Sequence, residues 1–246
     1  MHPSSRDAAS SVSPEEIARF SALASQWWDP TGPMRPLHAM NTLRISWACR
    51  HFPMRGRTTR HVRVLDIGCG AGLASEALAK AGHDVLGLDA SADGIAAARA
   101  HLEAHPLPAG SGTLDYRVGS AEELVAEQAR FDAVVALEII EHVTDPEAFM
   151  KMLSDLVEPG GIVIVSTMNR TLRSLAVGKI GAEYVLRLLP IGTHEWRKFL
   201  TPAELGRFGR ESRLSIQDIA GMTPSLSGWK ESRDLSVNYI AAFRKD

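Results

Sequence analysis

The chain has 246 residues, a formal net charge of −2, 45% hydrophobic residues and 23% charged residues. This composition is ordinary for a globular protein, and the slight acidity argues against a protein whose main role is to coat nucleic acid. Two cysteines argue against a disulfide framework. The first residues lack the apolar core of a secretory signal, and no run approaches about 18 apolar residues, so we expect a cytoplasmic protein without a spanning helix.

The N-terminal part predicts a helical cap. Residues 1–12 are rich in Ser and Ala, and we expect them to be disordered. Ser13-Pro14-Glu15-Glu16 predicts a helix start, because Ser favours the N-cap, Pro the first helical position and Glu the third. This helix should end near residues 27–30, and a second should run from Pro36 to about Phe52. We assign residues 13–60 to this helical cap.

From Val62 onward, apolar segments alternate with helical patterns, which predicts an α/β fold with a parallel sheet and helices on both faces. Strands are predicted at 62–67, 84–89, 114–118, 131–137 and 161–167, with helices at about 72–81, 92–104, 121–127 and 146–157. Ser91 and Asp145 should cap two of these helices. A helix from Thr201 and strands near 214–220 and 237–243 complete a domain over residues 61–246.

The glycine-rich segment 64–72 carries the strongest functional signal. An apolar strand passes into Gly68, Gly70 and Gly72, where bare backbone can approach a ligand, and the next strand ends at Asp89, whose carboxylate suits ribose hydroxyls. A dinucleotide fingerprint requires glycine at the sixth place of the motif, but that residue is Leu73. Asp66 would repel a pyrophosphate but suits the ammonium of S-adenosylmethionine. We therefore predict an S-adenosylmethionine site containing Asp66, Gly68, Gly70 and Asp89.

Glu138-Ile139-Ile140-Glu141-His142 follows the fourth predicted strand, at the edge of the sheet where ligands bind. The spacing places Glu138, Glu141 and His142 on one side of a helical turn, where they can converge on Mg²⁺ or another divalent cation. A metal would acidify a bound catechol; without one, His142 would remove the phenolic proton as general base. In a third interpretation, Glu138 holds the cofactor, Glu141 is solvated and His142 packs against the sheet edge.

Two other features have two interpretations each. Arg44, on the second predicted helix, either pairs with the carboxylate of the methionine moiety or is a solvated surface arginine. Ser120-Ala121-Glu122 either frames the adenine or caps a helix.

Residues 170–195 predict an amphipathic insertion after the fifth strand. Apolar residues repeat there at helical intervals and basic residues edge the apolar face. Such a segment can lie in a membrane interface, cover an apolar substrate or pack into the core. Its position between elements of the sheet edge favours a substrate lid.

Several motifs together resemble those of the ubiquinone biosynthesis O-methyltransferases, a family of class I S-adenosylmethionine-dependent methyltransferases. They are Trp27-Trp28-Asp29-Pro30, Pro36-Leu37-His38, Asn41-x-Leu43-Arg44, Leu65-Asp66-Ile67-Gly68-Cys69-Gly70, Glu138-x-x-Glu141-His142-Val143, Ser166-Thr167-x-Asn169-Arg170, Gly181-Ala182-Glu183-Tyr184, Gly192-Thr193-His194 and Asp234-x-x-Val237-Asn238-Tyr239. The resemblance runs from about residue 15 to residue 243. It implies methylation of a hydroxyl on polyprenylated phenol or catechol intermediates, at one or both O-methylation steps of the quinone pathway.

The resemblance also implies roles for individual residues. Arg44, Gly68, Asp89 and Leu137 would contact the cofactor, and eukaryotic members bind a divalent cation through residues that match Glu138, Glu141 and His142. Two positions depart from the family pattern: residue 71 is Ala where relatives often have Gly, and residue 137 is Leu where Met is common.

A polyprenylated substrate would explain the basic, apolar insertion. We therefore expect peripheral contact with anionic lipids at the inner face of the membrane, with other quinone-pathway enzymes as candidate partners and no nucleic acid. Three alternatives stay open at this point: a methyltransferase for another small phenol or carboxylate, a non-catalytic subunit that binds the cofactor, and a nicotinamide-dependent oxidoreductase.

Overall fold

The computed structural model describes residues 11, 14–53, 61–176, 196–225 and 228–246. In these ranges the strands are β1 (Arg63–Ile67), β2 (Asp84–Asp89), β3 (Leu114–Val118), β4 (Phe131–Leu137), β5 (Val157–Met168), β6 (Leu214–Ser225), β7 (Gly228–Ser232) and β8 (Asn238–Lys245). They form a single sheet in the order β3-β2-β1-β4-β5-β8-β6-β7.

The helices lie between and before these strands. They are α1 (Pro14–Ser21), α2 (Arg35–His51), α3 (Leu73–Lys80), α4 (Ala92–Ala104), α5 (Ala121–Ala126), α6 (Pro146–Leu156), the single turn α7 (Leu172–Ser174) and α8 (Pro202–Glu211). In the same described ranges, short 3₁₀ turns cover Ala24–Gln26, Ile140–His142 and Trp196–Lys198. Among the residues described, no helix is both long and apolar enough to cross a bilayer.

Two helix caps confirm the sequence predictions. The Ser91 hydroxyl accepts a hydrogen bond from the Gly94 amide at 3.0 Å. The Asp145 carboxylate accepts from the amides of Glu147 and Ala148, each at 3.0 Å. Both caps satisfy amides that the first helical turn leaves without an intrahelical partner, so they fix where α4 and α6 begin.

The parallel sheet is confirmed for β1 to β5 but not for the last three strands. β8 pairs antiparallel with β5, and β6 pairs antiparallel with both β8 and β7. The sequence predicts no strand at β7, and the structure explains the omission: none of its five residues is buried, so no apolar pattern marks it. The turn predicted at 158–161 lies within β5, as an irregularity in its pairing with β4.

The N-terminal helices differ from the prediction in one respect. α1 ends at Ser21 and the separate turn Ala24–Gln26 follows, whereas the sequence predicts one helix to residues 27–30. α2 agrees with its prediction to within one residue at each end. Most of the terminus at 1–12 and most of the insertion at 170–195 lie outside the described residues, so the domain boundaries stay predictions.

Apolar layers pack on both faces of the sheet, as predicted. Leu65 and Val163 face a layer with Phe149 of α6, whereas Val64 belongs to the opposite layer with Trp47 of α2. Successive strand residues point to opposite faces, so adjacent residues of β1 serve the two layers. This buried sheet is the base from which the loops after β1, β2 and β4 project to one edge.

Candidate active site

A cavity of about 420 Å³ lies at the carboxyl ends of β1, β2 and β4, between the sheet edge and the N-terminal helices. Its volume is within the range of small-molecule sites, about 300–1,000 Å³. The cavity is lined by every residue that the sequence predicts for the site: Arg44, Asp66, Gly68, Gly70, Asp89, Leu137, Glu138, Glu141 and His142. The topology therefore brings residues of α2, β1, β2, β4 and the 3₁₀ turn Ile140–His142 to one place.

The glycine turn is held by backbone hydrogen bonds to β2. Gly68, Gly70 and Gly72 have φ angles of +71°, +54° and +87°, in the left-handed region that side chains disfavour. The amides of Gly68 and Cys69 both donate to the Leu88 carbonyl, at 2.8 and 3.1 Å. The turn thus needs glycine for its backbone conformation.

Asp89 joins the turn to the start of α4. One carboxylate oxygen accepts from the Gly70 amide at 2.8 Å, and the other accepts from the Ser91 amide at 2.7 Å. Burial raises the pKa of Asp89, and the two backbone hydrogen bonds lower it. Each oxygen keeps a lone pair for a second donor, so the carboxylate can also accept from ribose hydroxyls.

Asp66 is a buried acid that forms no direct ion pair within the described ranges. Its carboxylate accepts from the Ser75 hydroxyl at 2.6 Å. Burial raises the pKa of Asp66 to about 7, and the Ser75 hydrogen bond and the charge of Arg44 lower it only in part. A ligand ammonium beside it would favour the ionised form.

Arg44 is buried in the cavity wall, with 3% of its surface exposed. The interpretation as a solvated surface arginine is therefore wrong. One terminal nitrogen donates to the Leu37 carbonyl at 3.4 Å and the other lies 3.9 Å from a Glu138 oxygen. The Nε group has no hydrogen-bond partner in the part of the chain that the structure describes. Burial lowers the pKa of Arg44, and the charges of Glu138 and Asp66 raise it. A buried guanidinium with an unused donor suits a carboxylate ligand.

Glu138 stands where β4 leaves the sheet. Its φ of +56° is unusual for a residue with a side chain and costs of order 1–3 kcal/mol. The carboxylate accepts from the Ser166 hydroxyl at 2.7 Å and from the Asn238 amide at 3.1 Å. These bonds from β5 and β8 fix the carboxylate at the cavity wall.

Glu141 and His142 lie on the 3₁₀ turn that follows. Glu141 is buried and accepts from the Thr167 hydroxyl at 2.9 Å, so its interpretation as a solvated residue is wrong. Burial and the charge of Glu138 raise the pKa of Glu141 to about 7.

His142 is held from the N-terminal side. Its Nδ1 lies 2.9 Å from a carboxylate oxygen of Glu16 on α1, and the Phe20 ring meets the imidazole edge-on with 5.3 Å between ring centres. Burial alone would lower the pKa of His142, but the hydrogen bond with Glu16 and the charges of Glu141, Glu16 and Glu138 raise it above its ordinary value.

Glu138, Glu141 and His142 line one cavity, and their role as ligands of one metal ion stays a prediction. No three His, Cys, Asp or Glu side chains in the described ranges are grouped closely enough to hold a metal ion. The local reason is that residues 140–142 form a 3₁₀ turn and Glu138 precedes it with a positive φ, so the side chains do not share an α-helical face. Each is instead held by a different partner.

Ser120 caps a helix and also lies at the cavity. Its hydroxyl accepts from the Glu123 amide at 3.4 Å and so caps α5, and Ser120 and Ala121 also line the cavity. Glu122 is engaged elsewhere, since its carboxylate accepts from the Ser11 amide at 2.7 Å. The cap is confirmed, and contact with adenine stays a prediction.

Among the cavity residues without a role assigned from the sequence, Glu16, Trp27 and Asn238 carry polar groups that bear on the chemistry of the site. Glu16 has a sequence signal only as a helix-start residue, and nothing in the local pattern indicates His142 as its partner. Trp27 and Asn238 belong to motifs shared with the resembling family. The resemblance therefore singles out these two positions but implies no chemical role for them.

Comparison with known proteins decides the family. Residues 65–165 match the family model described as a methyltransferase domain. A ubiquinone biosynthesis O-methyltransferase from Azorhizobium caulinodans is 46% identical over 242 residues, which are 95% of this chain and 94% of that protein. One from Rhodopseudomonas palustris strain HaA2 is 46% identical over 239 residues, 94% of this chain and 92% of that protein. The chain belongs to the ubiquinone biosynthesis O-methyltransferase family.

A solved structure shows the same fold. The magnesium protoporphyrin IX methyltransferase of Synechocystis PCC 6803, crystallised with bound S-adenosylmethionine, superposes with a TM-score of 0.62 at 17% identity, covering 98% of this chain and all of that one. The predicted class I methyltransferase fold is confirmed. The chain is an S-adenosylmethionine-dependent methyltransferase, and its glycine turn and the unused donor of Arg44 fit that cofactor.

Proposed function

We propose that the protein transfers the methyl group of S-adenosylmethionine to a hydroxyl of a polyprenylated phenol or catechol in ubiquinone biosynthesis. One observation carries the proposal: the glycine turn with Arg44 and Asp66, and the turn with Glu141 and His142, line the same cavity. A cofactor site and a proton acceptor are thus within reach of one substrate. The names of the relatives support the substrate class.

On the cofactor side, S-adenosylmethionine supplies a methyl group on a positively charged sulfur. Arg44 pairs with its carboxylate, and Asp66 accepts from its ammonium. Asp89 accepts from the ribose hydroxyls while it holds Gly70 in place. Gly68 admits the ligand to bare backbone, and Leu137 contributes an apolar surface beside it.

On the substrate side, the phenol must lose its proton. A phenolic pKa near 10 leaves about one molecule in a thousand ionised at pH 7, a cost of about 4 kcal/mol. Glu16 accepts from Nδ1 of His142, which leaves Nε2 of that ring as the atom that takes the phenolic proton. Glu138 and Glu141 stabilise the imidazolium by their charge.

Apolar side chains make up much of the wall facing these groups. They come from α1, α2 and the residues between them: Phe20, Leu23, Met34, Leu37 and Met40. Such a wall suits an aromatic ring with an isoprenoid tail, since it excludes water from the reacting oxygen.

Methyl transfer to a polyprenyl catechol, with a water-soluble catechol in parallel, tests the proposal. We expect the polyprenyl substrate to be preferred and His142→Ala to lose turnover while still binding S-adenosylhomocysteine. His105→Ala is the matched control, because His105 is an exposed histidine outside the cavity. Equal or better use of the water-soluble catechol would contradict the substrate assignment.

A chelator arm of the same assay tests the proton step. We expect full turnover in chelator, because the acid and imidazole groups hold separate partners rather than one ion site. Loss of turnover that added Mg²⁺ restores would contradict His142 as the sole agent of proton removal.

We also propose peripheral contact with anionic lipids beside the start of the insertion. Leu172 is 78% exposed, the most exposed of the large hydrophobic residues in the described ranges, and Arg173 is adjacent. Leu172→Asp should weaken sedimentation with anionic vesicles, whereas Ile216→Asp, at another exposed apolar residue, should not. If both variants sedimented with anionic vesicles to the same extent as the wild type, the proposed lipid contact at Leu172 would be wrong.

A further inference from the structure

Trp27 lies against the glycine turn from the opposite side of the cavity. A Cβ atom placed on Gly70 would come within 2.3 Å of the Trp27 ring. The indole therefore occupies the space that any side chain at residue 70 would need. Trp27 is 7% exposed and packs with Met34 and Ala71. Residue 70 must therefore be glycine for two reasons: its positive φ, and the Trp27 ring that fills the space of a side chain.

The indole N–H of Trp27 is buried and has no hydrogen-bond partner among the residues that the structure describes. Trp28 and Trp196, by contrast, donate to the carbonyls of Ala71 and Thr171 at 2.9 and 2.8 Å. A buried donor without a partner loses its hydrogen bond to water and gains none in return, so such groups in native structures call for an acceptor. Trp27 lines the cofactor cavity, so an acceptor on the bound cofactor would meet this need.

Several contacts hold Trp27 in position. The Trp28 ring stacks on the His101 ring with 3.4 Å between centres and parallel planes, and His101 is held by Glu76 at 2.6 Å. The Trp27 carbonyl lies 2.8 Å from Nε2 of His38 on α2. The segment is therefore anchored to α2, to α4 and to the glycine turn itself, which pre-organises the indole before any ligand arrives.

The neighbouring wall indicates which acceptor Trp27 meets. The Leu37 side chain packs in the cluster that contains Trp27, and the Leu37 carbonyl accepts from Arg44. Trp27 and Arg44 therefore border the same residue, and each has a buried nitrogen donor without a partner. Two buried donors that line the same cavity suit a carboxylate, which accepts several hydrogen bonds.

We propose that Trp27 is a cofactor-binding residue whose indole N–H donates, beside Arg44, to the amino-acid carboxylate of the cofactor. The inference rests on the proposed cofactor side of the cavity and extends it to the N-terminal segment. Trp27 is thereby more than an apolar wall residue, since its nitrogen and not only its ring area contributes to affinity.

Calorimetric titration of Trp27→Phe with S-adenosylhomocysteine and with 5′-methylthioadenosine, which lacks the amino-acid part, tests the inference. For Trp27→Phe we expect the dissociation constant of S-adenosylhomocysteine to rise about tenfold, because a hydrogen bond to a charged group is lost. The dissociation constant of methylthioadenosine should stay within about twofold of the wild-type value. Trp196→Phe removes an indole N–H outside the cavity and should bind both ligands as the wild type does. A Trp27→Phe variant that binds S-adenosylhomocysteine as the wild type does would overturn the inference.

A second measurement uses the wild-type chain, so it tests the inference even if Trp27→Phe does not fold. The five tryptophan indole N–H resonances are recorded after ¹⁵N labelling and assigned by single Trp→Phe changes, with Trp27 assigned last by elimination. S-adenosylhomocysteine should shift the Trp27 proton downfield, and methylthioadenosine should not. Equal shifts with both ligands would overturn the inference, whereas a wild type that binds neither ligand would refute the proposed cofactor site itself.

Discussion

The two sides of the cofactor cavity are built by different kinds of contact. On the sheet side, the turn from Gly68 to Gly72 is fixed by backbone hydrogen bonds to β2 and by Asp89. On the N-terminal side, Glu16, Trp27 and Arg44 depend on side-chain contacts with residues distant in sequence. Backbone geometry leaves a local signature in the sequence, and side-chain contacts between distant elements do not. We therefore expect substitutions on either side of the cavity to lower the affinity for the same cofactor.

The largest effect is expected at Gly70, where the two sides touch. Gly70→Ala should lower affinity for S-adenosylhomocysteine by at least about 100-fold, since the new methyl strains a φ of +54° and collides with the Trp27 ring. Calorimetry measures the affinity. Gly82→Ala is the matched control, with φ of +94° but open space around it; it should destabilise by about 1 kcal/mol and leave binding unchanged. Equal losses of affinity in both variants would show that contact with Trp27 is irrelevant.

Arg44→Leu should raise the dissociation constant for S-adenosylhomocysteine by about 30-fold, since a charged hydrogen bond to the ligand is worth about 1.5–3 kcal/mol. Arg50→Leu removes an exposed arginine from the same helix, one that pairs with Glu231, and should have no effect. This pair of variants sharpens the comparison by testing the N-terminal side alone. If Arg44→Leu binds normally, that side does not hold the carboxylate.

The pH dependence of binding tests the sheet side through Asp66. Its pKa is raised to about 7 by burial, and the ligand ammonium requires the ionised form. Affinity should therefore rise about tenfold from pH 6 to pH 8, and binding below pH 7 should release a proton. Titrations in buffers of different ionisation enthalpy measure both quantities. Asp66→Asn should bind weakly with a flat profile, and an equally steep profile in that variant would assign the proton elsewhere.

Glu16→Gln should have the smallest effect, about fivefold on kcat, with binding of S-adenosylhomocysteine unchanged. Glu16 raises the pKa of His142, so its removal should lower that pKa and move the acid limb of the pH–rate profile to lower pH. Glu15→Gln changes an exposed neighbour on the same helix and serves as control. An acid limb that stays in place would separate Glu16 from the proton step.

The limits of sequence-based prediction follow the same division. Gly68, Gly70, Asp66 and Asp89 were found because a strand, a glycine turn and a second strand end form one continuous pattern. Glu138, Glu141 and His142 line the predicted cavity without sharing an α-helical face, because residues 140–142 form a 3₁₀ turn after a positive φ. Glu16 had no chemical signal, since its partner His142 lies far along the chain. Strand β7 left no apolar pattern because it buries no residue.

Hydrogen exchange of the free protein and of its complex with S-adenosylhomocysteine tests the central claim most directly, namely that one cofactor is enclosed by both sides. Slower exchange is expected in two separate segments on binding: residues 66–72 on the sheet side and residues 20–28 on the N-terminal side. Protection confined to residues 66–72 and the end of β2, with residues 20–28 exchanging as in the free protein, would contradict the account.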